Sequence, residues 1–113
     1  MATIGWEWVA GFFEGEGHIY WQWGKKGTKQ GTCGRLIIGQ KDKRPLTATF
    51  RFLVSVGMAP PQFYLRPALK NNPRSVPCWI LTVSRRDDVI TMLTAMLPYL
   101  FQKSAKARVV IRR

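Results

Sequence analysis

The stretch Val9-Ala10-Gly11-Phe12-Phe13-Glu14-Gly15-Glu16-Gly17 carries the decisive pattern of this chain. Read with the residues before it, it places Trp6, Val9 and Phe13 on one face at helical spacings of three and four, and Trp8 with Phe12 on another. A helix is therefore expected over Gly5 to Glu14, and a helix apolar on nearly every side is buried on nearly every side. Gly11 and Gly15, with Ala10 beside them, form a stripe of small residues along which a second helix backbone can approach closely. Each Gly costs roughly 1 kcal/mol of helix propensity against Ala, so the stripe needs a packing reason. So short a chain has no second helix of this kind, which points to a copy of itself across a two-fold axis. Ala10, Gly11 and Gly15 are the expected contact of a homodimer formed through the first helix.

Outward from this helix the period changes. His18 to Trp23 alternates strictly, with His18, Tyr20 and Gln22 on one face and Ile19, Trp21 and Trp23 on the other, the pattern of a half-buried strand. The segment Gly24 to Gly31, rich in Gly and Lys, turns into a second strand over Arg35 to Gln40, completing a hairpin. Asp42 is a candidate N-cap with Pro45 tolerated in the first turn, after which Leu46, Phe50, Leu53 and Val54 recur at helical spacing until Gly57. Phe63 to Arg66 and Cys78 to Val83 form another strand pair, joined by a loop with Pro67, Asn71, Asn72, Pro73 and Pro77 whose length suits a mobile, polar tip. Ser84 with Asp87 resembles an N-cap pair opening a third helix through Val89, Ile90, Leu93, Met96 and Leu97, which Pro98 interrupts. Lys103 to Arg113 is a last basic helical segment. The order αββαββα defines an α+β fold, a single domain over residues 1–113 with one antiparallel four-stranded sheet whose second face is free.

The totals bound the partners. The chain has 113 residues, 46% hydrophobic and 21% charged, enough apolar surface to offset its ordering entropy, so disorder is excluded as the whole answer. No run of uncharged apolar residues is long enough for a membrane span, and no basic n-region marks a secretory signal at Met1, so an intracellular protein of unknown compartment is expected. Cys33 and Cys78 are too few for a four-ligand zinc site or a disulfide framework and read as buried or groove-facing thiols. Eighteen Lys and Arg against six Asp and Glu leave +12, which implies a polyanionic partner, most often nucleic acid. Met1 to Gly24 contains no Lys or Arg but holds Glu7, Glu14 and Glu16, a formal −3 that leaves +15 on the remainder, 18 basic residues against three acidic. Such a segment either caps a buried helix or holds a cation against an anionic ligand.

The nine residues from Val9 to Gly17 resemble the signature of the LAGLIDADG homing endonucleases, with both internal Gly, both acids and the terminal Gly in register, and the element order of that fold follows. One motif per chain is the pattern of the homodimeric branch. The similarity extends to Gln40-Lys41 with Arg44 after the second strand, and to Leu97-Pro98-Tyr99-Leu100 followed by Lys103. Family members usually continue for further helices. By resemblance Glu16, the motif's last acid, binds the catalytic cation in place of the usual Asp, with its carboxylate one methylene further out. Gln40 then positions the attacking water, and Lys103 and Arg44 stabilise charge on the scissile phosphate. Glu14 is read as a structural acid, and His18 as a strand residue contacting DNA. The physical reading of Glu16 agrees. Two carboxylates at adjacent helix C-termini repel each other and oppose the helix dipoles unless divalent metal joins them. Oxygen-only ligation favours Mg²⁺ or Mn²⁺.

The free face of the sheet is the expected DNA-binding saddle. Alternation puts Tyr20, Gln22, Arg35, Ile37, Tyr64, Arg66, Ile80 and Thr82 outward, with Ile19, Trp21, Leu36, Ile38, Leu65, Trp79 and Leu81 as core. Outward Gln and Arg suit adenine and guanine edges in the major groove, and Ile37 and Ile80 either meet thymine methyls or simply pack on the sheet surface. Lys25, Lys26, Lys29, Lys70 and Arg74 in the hairpin loops are expected to grip phosphates of double-stranded DNA. The leading reading is a sequence-specific, metal-dependent homodimeric DNA endonuclease. The alternative keeps the fold without the cutting, as a DNA-binding regulator or an RNA-binding intron maturase. A third, a general basic nucleic-acid or ribosomal protein, predicts neither the acidic first helix nor sequence preference.

Overall fold

Helix α1 (Trp6–Glu16) passes into strand β1 (Gly17–Gln22) without a loop in the computed structural model, which describes residues 4–22 and 33–111. Gly17 makes that junction possible. Its N–H donates to the Phe13 carbonyl, and a Cβ at this position would lie 2.2–2.8 Å from the Phe13 ring, which is itself fully buried. The ring has nowhere to retreat. Gly17→Ala is expected to destabilise the chain by about 1–3 kcal/mol or more through overpacking. An unchanged denaturation midpoint would show that Phe13 moves.

Strand β2 (Cys33–Gln40) returns antiparallel to β1, and helix α2 (Lys43–Ser55) follows after two residues. Asp42 caps α2 as the sequence indicates, its carboxylate accepting the Arg44 N–H at 2.9 Å. At the far end Gly57 takes φ +93° while the Gly57 and Met58 N–H groups close on the Val54 and Leu53 carbonyls, a left-handed stop that favours glycine. Strands β3 (Gln62–Arg66) and β4 (Cys78–Val83) form the second hairpin, and β4 pairs with β2, giving the order β1-β2-β4-β3, antiparallel throughout. Helix α3 (Arg86–Met96) is followed by a 3-10 turn (Leu97–Tyr99) carrying Pro98 and by helix α4 (Ser104–Ile111). Ser84 does not cap α3. The helix starts after Arg85, which makes no side-chain cap bond, and Asp87 and Asp88 face the positive end of the helix dipole instead.

The four α-helices of the described residues cover one face of the sheet. Val9, Ala10 and Phe13 of α1 enter one core with Ile19, Leu36, Ile38, Leu81, Leu46, Leu53, Leu93 and Met96. Trp6 adds an edge-on contact to Phe52 of α2, ring centroids 5.0 Å apart. Among the residues whose side chains are described, the outward and inward assignments from alternation hold with respect to face, and three particulars differ. Leu65 is 48% exposed, because α2 packs on β4 and β2 and the edge strand is anchored inward by Phe63, stacked between Phe50 and Trp79. Ile80 and Thr82 lie on the free face but are only 7% and 6% exposed, since both flanks of β4 are filled by β2 and β3. Trp79 is half-buried, with the Lys43 ammonium 4.5 Å over its ring.

Helix α1 is less buried than its composition predicts. Trp8, Gly11, Gly15 and Glu16 face outward in the single chain, and Trp8 leans on Phe12. Ala10 is fully buried in the core, which removes it from the expected dimer stripe and leaves Gly11 and Gly15 there. The loop between β3 and β4 is also more tied than expected. Ser75 Oγ accepts the Leu69 N–H at 2.8 Å, and Asn72 Oδ1 accepts the Arg74 N–H at 3.0 Å.

Candidate nucleic-acid interface and carboxylate site

Cross-strand partners share a face, so the register gathers the free surface rung by rung. His18, Ile37, Thr82 and Gln62 form one rung; Gly39, Ile80 and Tyr64 form the next; Tyr20 pairs with Arg35 above and Cys78 with Arg66 below. The Arg35 guanidinium lies 4.8 Å over the Tyr20 ring, which holds both side chains on the open side of the sheet. Lys70 and Arg74 are exposed in the β3–β4 loop. Lys25, Lys26 and Lys29, and the side chains of Trp21 and Gln22, lie outside the described residues.

The end of α1 meets this face. A depression of about 310 Å³ opens between Gly15, Glu16, His18, Ile37, Gly39, Arg66, Cys78 and Ile80. Glu16 is exposed at its rim, and among the described residues no hydrogen bond or ion pair takes up its carboxylate. The neighbouring acid is wholly different. Glu14 accepts the Phe101 N–H at 3.3 Å and the Gln102 N–H on its other oxygen, so it serves as the structural acid the sequence indicated. The Lys103 ammonium donates to the Glu14 backbone carbonyl and lies 5.9 Å from the Phe13 ring centroid, across the last turn of α1.

Gln40 and Arg44 stand apart from this depression. Gln40 ends β2 opposite Trp79, on the helix side of the sheet, with its amide oxygen accepting the Lys41 N–H at 3.0 Å; the β2 residue that lines the depression is Gly39. Arg44 has its guanidinium forked onto Asp42, Nε at 3.0 and 3.1 Å and Nη2 at 2.6 Å from the carboxylate oxygens. The sequence assigns no role to Gly39 and reads Cys78 as a buried or groove-facing thiol, and Cys78 lines the depression half-buried. Their strands' alternation gives their face, but only the register shows which neighbours they meet.

The Arg44 side-chain hydrogen bond, ahead of its backbone N–H and its charge, lowers the Asp42 pKa from 3.8 to about 2. A carboxyl depressed in the folded state contributes fully above its unfolded value and is lost as pH falls through its folded one. The capping contribution of Asp42 is therefore expected to fade between about pH 4 and pH 2. Comparing acid melts of the unsubstituted chain and Asp42→Asn checks this: the difference between them should vanish toward the acid end, and a constant difference would exclude the linkage.

Among the described residues no group of three or more His, Cys, Asp and Glu side chains gathers to hold a metal ion. The exposed Glu16 carboxylate at the rim of the depression is nevertheless an oxygen donor of the kind that suits a hard cation such as Mg²⁺, which keeps several waters and takes one or two carboxylates. Among the described residues no helix is long and apolar enough to cross a membrane.

The helices packed on one face of a four-stranded antiparallel sheet have the fold of the LAGLIDADG homing endonucleases. The homing endonuclease I-CvuI, solved in complex with a DNA target, aligns with a TM-score of 0.66 and 21% identity over 95% of this chain and 63% of its own. I-SmaMI, a meganuclease bound to DNA, aligns at 0.62 with 17% identity over 96% of this chain and 35% of its own. The group I intron-encoded homing endonuclease I-CeuI, complexed with DNA, aligns at 0.60 with 14% identity over 99% of this chain and 53% of its own. The chain thus spans less than two thirds of each of these, and at such identities the likeness is one of fold. No family model and no curated protein sequence matches the chain.

Proposed function

We propose that this chain is a sequence-specific endonuclease of double-stranded DNA that acts as a homodimer and uses a divalent metal. The observation that carries the reading is the unpartnered Glu16 carboxylate, set where α1 opens onto the sheet face of a chain with +12 net charge. A carboxylate facing a polyanion is unfavourable for a pure binder and is explained by a cation between the two. I-CvuI was solved on DNA in the presence of 2 mM Mg, with the DNA not cleaved, and of 2 mM Ca, which is consistent with a divalent ion accompanying DNA in this fold.

In this reading Glu16 from each copy holds Mg²⁺ or Mn²⁺, whose chemistry is Lewis acidity and an acidified water at the scissile phosphate. Lys103, held by a neutral carbonyl rather than a carboxylate, is the cation offered to the phosphate. The reading gives Gln40 the positioning of water and Arg44 the support of developing charge, although Gln40 stands on the helix side of the sheet and Arg44 is forked onto Asp42. Tyr20, Gln22, Arg35, Tyr64 and Arg66 read bases; Ile37 is the apolar contact best placed for a thymine methyl, since Ile80 and Thr82 offer little surface. The lysines of the β1–β2 connection, with Lys70 and Arg74, bind phosphates. Incubating the full chain with a randomised duplex library and Mg²⁺, then sequencing cut ends, tests the reading. Cut ends with a two-fold consensus are expected. Enriched bound duplexes without cut ends would identify a DNA-binding regulator instead.

A further inference from the structure

Residues 101–103 are fastened to the last turn of α1 by three contacts that converge on one residue. The Glu14 carboxylate accepts the Phe101 and Gln102 N–H groups on separate oxygens, and the Glu14 carbonyl accepts the Lys103 ammonium. These partners lie 87 to 89 residues from Glu14 in sequence, so nothing local enforces the contact. The three donors are consecutive, which makes the arrangement a register lock: one residue of slip would offer the carboxylate the wrong amides and carry Lys103 off the helix end.

We propose that Glu14 is a positioning residue for Lys103, placing its ammonium beside the last turn of α1, two residues before Glu16. The inference rests on the nuclease reading only for the use made of Lys103; the lock itself stands on these contacts. Two features favour positioning over simple docking of α4. The carboxylate is consumed by backbone amides, so Lys103 is left with the Glu14 carbonyl and the Phe13 ring face, both neutral. The chain segment held is also not core: Phe101 is 82% exposed, so anchoring it contributes little burial.

The test compares the full-length chain with Glu14→Gln, which retains one acceptor oxygen in place of two. Acetylation of Lys103 by an N-hydroxysuccinimide ester, read by mass spectrometry against exposed Lys106 as internal standard, is expected to rise about two- to tenfold, the shift one hydrogen bond supports. Unchanged Lys103 labelling in the folded variant would overturn the lock. Should Glu14→Gln fail to fold, Glu14→Asp, which keeps both oxygens but draws them back by one methylene, is read in the same way. Single-turnover cleavage at saturating DNA supplies the second readout. Glu14→Gln and Lys103→Met are each expected to slow cutting, with the double variant no slower than Lys103→Met alone, whereas additive losses would make Glu14 merely structural. If the unsubstituted chain cuts no duplex, the nuclease reading fails while the labelling result still decides the lock.

Discussion

Glu16→Gln is expected to bind duplex DNA at least as tightly as the unsubstituted chain and to leave it uncut in millimolar Mg²⁺. Glu16 is exposed, ends α1 and makes no hydrogen bond or ion pair with any described residue, so exchanging its charge for an amide disturbs no contact of the fold. Its negative charge also stands at the helix C-terminus, the unfavourable end of the dipole, and in the proposed dimer it would face its own copy. Removing it should leave melting in EDTA unchanged or higher. Less negative charge then faces the phosphates, which favours binding. In the proposed mechanism cutting depends on a divalent ion that this carboxylate would hold, and loss of several kcal/mol of transition-state stabilisation would slow the reaction by roughly a thousandfold or more. Gel-shift titration and a time course of plasmid or duplex cleavage read the two properties separately. Cleavage near the original rate would release Glu16 from the metal and move attention to His18, which lines the same depression.

The change of period from about 3.6 to 2 at Gly17, and back again after Gln40 and after Val83, made the order of elements legible, because burial of one face imposes those periods on local sequence. Depth was not legible. Alternation assigns Ile80 and Thr82 to the free face, yet both are shielded by flanking strands, and it assigns Leu65 inward where no helix covers it. Rotation of α1 was half legible. The small residues Ala10, Gly11 and Gly15 look alike in sequence, but Phe13 and Gly17 turn the helix so that Ala10 enters the core. At the site, resemblance names Gln40 and Arg44 without their rotamers, which Lys41 and Asp42 set locally. The Glu14 contacts reach across most of the chain and leave no periodic or spacing signal at all.

Gly15→Leu is expected to abolish the dimer while sparing the protomer, and the structure sharpens why. A Cβ built at Gly15 or at Gly11 meets nothing within 4 Å, so the single chain has open space for a side chain at both positions. Replacing Gly in a helix by Leu also removes an entropic cost of up to roughly 1 kcal/mol, so the protomer should melt no lower than before. These glycines therefore serve no purpose inside the fold. Their exposed stripe, flanked by Trp8, suits close approach of a second backbone, and a two-fold interface brings the same position into contact twice. Overpacking at about 1–3 kcal/mol per site then amounts to roughly 2–6 kcal/mol, a weakening of dimerisation by about 30-fold to 10⁴-fold. Sedimentation velocity across a concentration series should find the unsubstituted chain as a dimer and Gly15→Leu as a monomer. The variant should also lose double-strand cutting, because in the proposed dimer each copy would supply one carboxylate. Should Gly15→Leu sediment as the same dimer, the two copies meet elsewhere, and the exposed glycines of α1 are left without a physical account.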